Sequence, residues 1–506
     1  MASLPTIRLG AAPATTGDIR AIARDRAPVA LDDAALQRVE AGHRALEALA
    51  AGGAAIYGVS TGLGAAVDTR IAPDAAVVQR RIPPGRAVGV GRLAERDEVR
   101  AIIAARLAGL CAGRSGASRG VTEALAALLN HGVHPSVPMT GSVGESDLQP
   151  LAHIALTLLG QGEAEYQGQR LPAAEALARA GIAPPVFGLK DGLALVSANA
   201  ASAGIGALVV EDAAQALWAM LAATALSFEG YRAGPAPLDP RAAALRPAPG
   251  QGEAARGLLA LLAGGDLVRP GTARKLQDPL SFRCAPSVLG AGFAALDAAR
   301  QAVELELSSA GDNPAVIAED AVALPNANFD PTHLALAFEA LGAALARAAA
   351  VSAARIMKLM SPASSDLPRF LAPVQDGSAG YGPVQKTAAA LLAEIGHLAA
   401  PMPVVVLAVA DGVEDYATMA TATVGKTGEI VARLRLLAAV ELIVATQAVD
   451  LRPGIRLGTG CAAIHRAVRA LVPQLEADRP AAPDIEAVAG FIAEDGLEPI
   501  LASGRS

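Results

Sequence analysis

Apolar positions recur with helical spacing along most of the chain, and the pattern persists longest over residues 192–228, 285–309, 332–360, 384–399 and 413–450. Such patterns, without caps inside them, predict long bundle helices. Residues 1–55 carry shorter helical patterns. Residues 73–133 predict two or three helices with a break at Pro83-Pro84-Gly85, and the loop Pro135 to Ser146 opens a helix reaching Leu159. Polar, glycine- and proline-rich segments lie between: YGVSTGLG from Tyr57, QDPLSFRC at 277–284, SSAGDNP at 308–314, PNANFD at 325–330 and VQDGSAGYGP at 374–383. In this layout the helices are scaffold and the loops converge on a site.

Composition sharpens the picture. Of 506 residues, 52% are apolar, 3% aromatic and 18% charged. This excludes disorder and, through its alanine and leucine content, predicts a helix-rich protein. No repeat or linker divides the chain, so one domain spans 1–506: a loop-rich N-terminal region over residues 1–190, a central bundle over 191–450 and C-terminal helices over 451–506. A net charge of −7 without a basic run argues against nucleic-acid or anionic-membrane partners. The cysteines, Cys111, Cys284 and Cys461, are odd in number and fit a reducing compartment. The N-terminus has no apolar core of the signal-peptide kind, and the uncharged run Gly192–Val210 is interrupted by Ser197, Asn199 and Ser202. A soluble, cytoplasmic protein is expected.

Some motifs do not survive inspection. Gly58-Val59-Ser60-Thr61-Gly62 matches a nucleophile-elbow string but lacks the alternating strands and helices that motif requires. Gly425-Lys426-Thr427 resembles the end of a phosphate loop, yet the required first glycine is Ala420 and the segment is mid-helix. His131 and His134 have no third ligand nearby in sequence, so no metal site is expected.

Taken together, the loops resemble the histidine and phenylalanine ammonia-lyases. Tyr57-Gly58-Val59-Ser60-Thr61-Gly62-Leu63-Gly64 is similar to that family's tyrosine loop. Gly141-Ser142-Val143-Gly144, followed by Asp147-Leu148 and Pro150-Leu151-Ala152-His153, is similar to its cofactor segment. Gln277-Asp278-Pro279 through Arg283-Cys284, then Asp312-Asn313-Pro314, Asn328-Phe329 and Glu414-Asp415, follow in the family's order. The resemblance implies an all-α fold with a long central helix bundle of the fumarase/aspartase-like type. It also implies a homotetramer whose sites take loops from several subunits, and elimination of ammonia from an α-amino acid to give a trans-unsaturated acid.

The cofactor segment departs from the family. Its methylidene-imidazolone (MIO) is built from an internal Ala-Ser-Gly, where this chain reads Glu145-Ser146-Asp147 and is one residue shorter. Ring closure favours small, permissive residues at those positions, so the sequence predicts that no MIO forms and no cofactor is used. Leu280 stands for the family's tyrosine, Ser197 for its asparagine with Asn199 nearby, and Arg86 for the histidine of histidine lyases. Lys386, one of five lysines, replaces an apolar residue. A quaternary ammonium has no lone pair to attack MIO and already leaves readily. The pattern therefore predicts trimethylamine release from a histidine-derived betaine, as in ergothionase. The alternatives are a MIO-dependent histidine or aromatic amino acid ammonia-lyase and a non-catalytic pseudoenzyme subunit.

Roles follow from the resemblance and from side-chain chemistry. Tyr57 is the expected base for the β-proton. Arg283 would fork onto the substrate carboxylate, with Asn313 and Gln277 in support. Lys386 and Glu414 would hold and polarise an imidazole-type ring; a structural ion pair is the alternative. Phe329 and Tyr381 would offer aromatic faces to the ammonium or ring, or pack as core. Ser197, Asn199 and Arg86 would line the pocket, and Glu145 would fill the cofactor's space or simply start a helix.

Overall fold

The computed structural model describes residues 4–71, 75–373, 377–404 and 407–505. Helices begin and end where local chemistry allows. The Asp32 carboxylate accepts the N–H groups of Ala34 and Ala35 to open helix Asp33–Ala51, and Ser118 caps Arg119–His131 through Val121 N–H. Gly132, at φ +70°, closes the latter helix in the left-handed conformation that glycine takes without strain. The fold is all-α, as the resemblance implies, with the long helices that the patterns predict.

The chain divides into two compact units: Met1–Glu211 with Ala299–Phe338 and Met402–Gly425, and Asp212–Ala298 with Glu339–Pro401 and Lys426–Ser506. The first unit carries the short strands. Ile7–Leu9 pairs in parallel with Val29–Leu31, and Val90–Leu93 runs antiparallel to Pro138–Thr140. Val133–Pro135, Glu163–Tyr166 and Gln169–Pro172 form an antiparallel three-stranded sheet, and Ala315–Ile317 pairs with Val322–Leu324. Helix Arg96–Leu110 is buried from Val99 onward, which strands two arginines in the core. Arg100 donates to the carbonyls of Ile22 and Leu129, and Arg106 donates to the Ala194 carbonyl and to Asp312 Oδ1 at 2.7 Å. These bonds satisfy the guanidiniums and tether segments distant in sequence.

In the second unit Arg355 and Glu441 are both fully buried and meet in a fork, Nε to Oε1 at 2.6 Å and Nη2 to Oε2 at 2.9 Å. Ser227 and Ser352 donate to the same carboxylate, so the buried charge is fully engaged. Tyr231 stacks on Phe282 with centroids 4.4 Å apart, and Phe228 meets that ring edge-on.

Helices Ala285–Ser308, Thr332–Leu359 and Val384–Leu398 match their expected spans closely. Two others are corrected. The expected helix 192–228 is two helices, Asp191–Val196 and Ala200–Tyr231, because Ala198 N–H leaves the helical ladder to donate to Ser146 O at 3.1 Å. The expected helix 413–450 begins only at Ala420. Met419, at φ +55°, turns its N–H to Val143 O at 2.9 Å. The segments Asp191–Tyr231 and Thr332–Leu359 are long and apolar enough to cross a membrane, and the apolar window of the first is buried throughout within the protein.

Candidate active site

The Tyr57 loop is pinned from both sides. Ser60 Oγ accepts Ile56 N–H at 2.8 Å and donates to Ala54 O, while buried Gln79 donates to Gly58 O at 2.7 Å. Gly58 sits at φ +70°, and a Cβ there would fall 2.5 Å from Leu193 Cδ2, so only glycine fits. Half-buried Tyr57 accepts Gly64 N–H on its hydroxyl oxygen at 2.9 Å. Glu414 reaches the same place, since a Cβ on Gly64 would lie 3.7 Å from its Oε1. Burial pulls the Arg86 guanidinium below its usual range, opposed by the negative charges that Tyr57 and Glu414 can carry. The first unit thus gathers Tyr57, Arg86 and Glu414, with an N–H donated to the Tyr57 oxygen and the Arg86 cation within electrostatic reach of it.

A second cluster forms around the cofactor segment. Asp147 is fully buried at φ +40° and accepts Ser142 Oγ at 2.9 Å, Thr421 Oγ1 at 2.7 Å, Ser202 N–H at 2.7 Å and Ser202 Oγ at 3.1 Å. Thr418 donates to Gly144 O at 2.7 Å, and Ser146 N–H reaches Phe329 O at 3.4 Å. Ser197 Oγ lies 3.4 Å from Ser146 Oγ. The helix break described above is what brings Ser197 and Asn199 to this segment.

Acidic groups face the same cluster. Asn199, 4% exposed, donates its amide to Glu306 Oε2 at 2.8 Å. Burial raises the Glu306 carboxyl to about 7, and Asp147 and Asp330 add to the rise. Glu145 is likewise raised to about 7, chiefly by burial and then by Asp330. Glu145 Oε1 and Asn199 Oδ1 are buried without a hydrogen-bond partner.

The other expected residues are placed as follows. Asn313 accepts Asn326 N–H at 3.1 Å in a turn that Arg106 holds through Asp312 and that Lys190 holds through the Pro314 carbonyl at 2.6 Å. Phe329 is half-buried beside Asp330. In the second unit Arg283 donates to Gln277 Oε1 at 3.0 Å, so that expected pair meets, and Leu280 beside it is exposed. Tyr381 is buried in that unit, its hydroxyl raised by desolvation near Arg469, Arg479 and Asp484. Lys386 is exposed in the second unit and Glu414 is exposed in the first, so they belong to different units.

Sequence reasoning missed Glu306, Asp330, Ser142, Ser202, Thr418 and Thr421. Ser142 and Asp330 lie inside the loop motifs named above, and Thr418 and Thr421 follow Glu414 closely. Glu306 carried no signal: an acid near the end of a helix is ordinary.

The model of the aromatic amino acid lyase family matches residues 14–470. A histidine ammonia-lyase of Sorangium cellulosum (strain So ce56) is 39% identical over 497 residues, covering 96% of this chain and 97% of the relative. Among solved structures, ergothionase from Treponema denticola, in complex with desmethyl-ergothioneine sulfonic acid, is similar at TM-score 0.92 and 31% identity. The match covers 97% of this chain and 99% of that one. Histidine ammonia-lyase from Trypanosoma cruzi is similar at TM-score 0.91 and 27% identity, covering 99% and 95%.

These comparisons correct two expectations. Trimethylamine release is overturned by full-length relatives, 36 to 39% identical, that bear the name histidine ammonia-lyase. A chain without cofactor is overturned by the same relatives, because MIO is the group that resemblance implies. The segment itself, tested as a ring precursor, does not fit an Ala-Ser-Gly origin. Glu145 is bulky, Ser146 and Asp147 both have positive φ, and the Asp147 carboxylate is committed to its donors. With the family model covering most of its length and relatives matching it end to end, the chain belongs to the aromatic amino acid lyase family of carbon–nitrogen lyases.

Proposed function

We propose that this chain is an ammonia-releasing lyase whose substrate is histidine. The observation that carries the reading is the Tyr57 hydroxyl held by Gly64 N–H beside Arg86 and Glu414, in a chain similar along its whole length to histidine ammonia-lyases. Tyr57 takes a proton from Cβ. The electron pair left behind forms the Cα–Cβ double bond, and the C–N bond breaks with its pair on nitrogen, which leaves as ammonia. Arg283, steadied by Gln277, holds the carboxylate as a fork, with Asn313 in support. Arg86 and Glu414 set the charge around the base and the ring. A homotetramer is included in the same reading, with light scattering as its check.

The test offers the purified protein histidine, tyrosine and phenylalanine separately, following the conjugated acid by absorbance and ammonia by a coupled assay. Histidine is expected to yield both products in equal amounts, and Tyr57→Phe to stop both. Silence from all three amino acids would overturn the reading.

A further inference from the structure

We propose that Asp278 is a positioning residue for Arg283: it fixes the segment from which that guanidinium reaches the substrate carboxylate. The carboxylate role of Arg283 rests on the lyase reading, and the anchoring rests on the following geometry.

Asp278 stands between two residues that each bond Arg283. Before it, the Gln277 amide oxygen accepts Arg283 Nη1 at 3.0 Å. After it, the Pro279 carbonyl accepts the main-chain N–H of Arg283 at 3.2 Å and of Phe282 at 3.0 Å. Pro279, at φ −56°, opens the short helix Leu280–Arg283, and its ring removes torsional freedom between Asp278 and that carbonyl. Asp278 itself bonds elsewhere in the second unit. It is 6% exposed, and its Oδ2 accepts Gly234 N–H at 2.6 Å. Gly234 lies in the turn that follows helix Ala200–Tyr231, and that turn is fixed in its own right: Ala233 N–H donates to Phe228 O at 3.0 Å, and Arg274 Nε donates to Tyr231 O at 3.0 Å.

Exposure divides the segment in two. Gln277 is exposed and Arg283 half-buried, whereas Asp278, Ser281 and Phe282 are buried. At the far end Ser281 O accepts Nη1 of fully buried Arg355 at 3.0 Å. At the near end the anchor is Asp278, and both bonds to Arg283 leave from its immediate neighbours. A carboxylate on a main-chain N–H is a charge-assisted bond, and its removal leaves the Gly234 donor stranded. Because a guanidinium rides at the end of a long side chain, a small shift of its backbone is enlarged at the fork. A misplacement of about 1 Å in a positioned group can cost about 10²-fold.

The test compares Asp278→Ala and Asp278→Asn in the full-length protein, each with and without Arg283→Gln. Asp278→Ala should raise the KM for histidine about tenfold with kcat little changed, and Asp278→Asn, whose amide oxygen still accepts Gly234 N–H, should restore most of it. In the Arg283→Gln background Asp278→Ala should raise KM no further, since the group it positions is gone. As inhibitors, imidazolepropionate has the carboxylate and histamine lacks it; Asp278→Ala should weaken the first about tenfold and leave the second unchanged. Asp278→Glu, which keeps the charge but displaces the segment, carries the same expectations if the alanine variant does not fold. Equal losses for both inhibitors, or additive changes in KM with Arg283→Gln, would overturn the positioning role. Amide hydrogen exchange reads the anchoring without turnover: residues 280–284 should exchange faster in Asp278→Ala, with helix Ala285–Ser308 unchanged. Faster exchange in a protein that deaminates no amino acid would sink the lyase reading and leave the anchoring standing. Deamination at wild-type KM in Asp278→Ala would sink the positioning role alone.

Discussion

The Tyr57 hydroxyl accepts the main-chain N–H of Gly64 at 2.9 Å, within its own loop. The bond fixes the oxygen while leaving its hydrogen to point elsewhere, and it strengthens as that oxygen gains negative charge. Tyr57→Phe should therefore lower kcat/KM by about 10²- to 10⁴-fold, the range of a positioned general base. Its cost in stability should stay near 1 kcal/mol, because the freed N–H lies in a half-buried loop. Steady-state rates and a thermal melt on one preparation check both halves; a variant with full activity would remove Tyr57 from the chemistry.

Glu306 makes stability depend on pH with a definite sign. Burial raises its carboxyl in the folded protein from an ordinary 4.5 to about 7. The folded state then holds the proton more tightly than the unfolded chain, so this contribution is fully present below about 4.5 and is lost as pH rises through about 7. Glu306→Gln removes the effect while leaving Glu145, which titrates in the same direction. Unfolding free energies measured from pH 4 to pH 8 should show wild type losing about 2 kcal/mol relative to the variant. A constant difference between the two would contradict the assignment.

Much of the scaffold was readable from the chain because helical periodicity is local: Ala285–Ser308 and Thr332–Leu359 announce themselves by their apolar spacing. The loops of Tyr57 and Arg283 were readable because glycine, proline and polar residues cluster there. What could not be read is set by contacts remote in sequence. Nothing in Leu195-Val196-Ser197-Ala198-Asn199-Ala200 forbids a helix; the break exists because Ser146 O and Glu306 claim Ala198 and Asn199. The late start of helix Ala420–Asp450 has the same origin, in Val143 and Gly144. The cofactor segment misled for a related reason. Its altered residues, weighed alone, pointed to a betaine, and only similarity across the whole chain outweighed them.

Asp147 should be among the least replaceable residues of that segment. Its carboxylate receives four hydrogen bonds from Ser142, Ser202 and Thr421, and it is wholly buried. Asp147→Ala would leave these donors unsatisfied and should cost about 3–5 kcal/mol. Asp147→Asn keeps one acceptor oxygen and should cost roughly half as much. Denaturant unfolding of the two variants gives the order; equal, small losses would show that the donors find water instead.

Arg106 and Asp312 test how far the turn at Asn313 depends on buried charge. The pair meets at 2.7 Å with both side chains almost fully buried, and Arg106 also donates to the Ala194 carbonyl, just before the helix break. Removing one partner strands the other, so Arg106→Leu should cost about 3–5 kcal/mol in chemical unfolding. Replacing both, Arg106→Leu with Asp312→Leu, should recover much of that loss, because desolvation of two charges offsets most of their attraction. Activity should not recover with stability. Asp312 also receives Asn326 on its carbonyl, and Asn326 N–H is held by Asn313, so a repacked turn no longer presents Asn313 to a carboxylate. The double variant should fold well and yet show a KM for histidine raised about tenfold with kcat little changed, the signature of lost binding that is uniform between ground and transition states. If KM returned together with stability, Asn313 would be a turn residue only, and the carboxylate would belong to Arg283 alone.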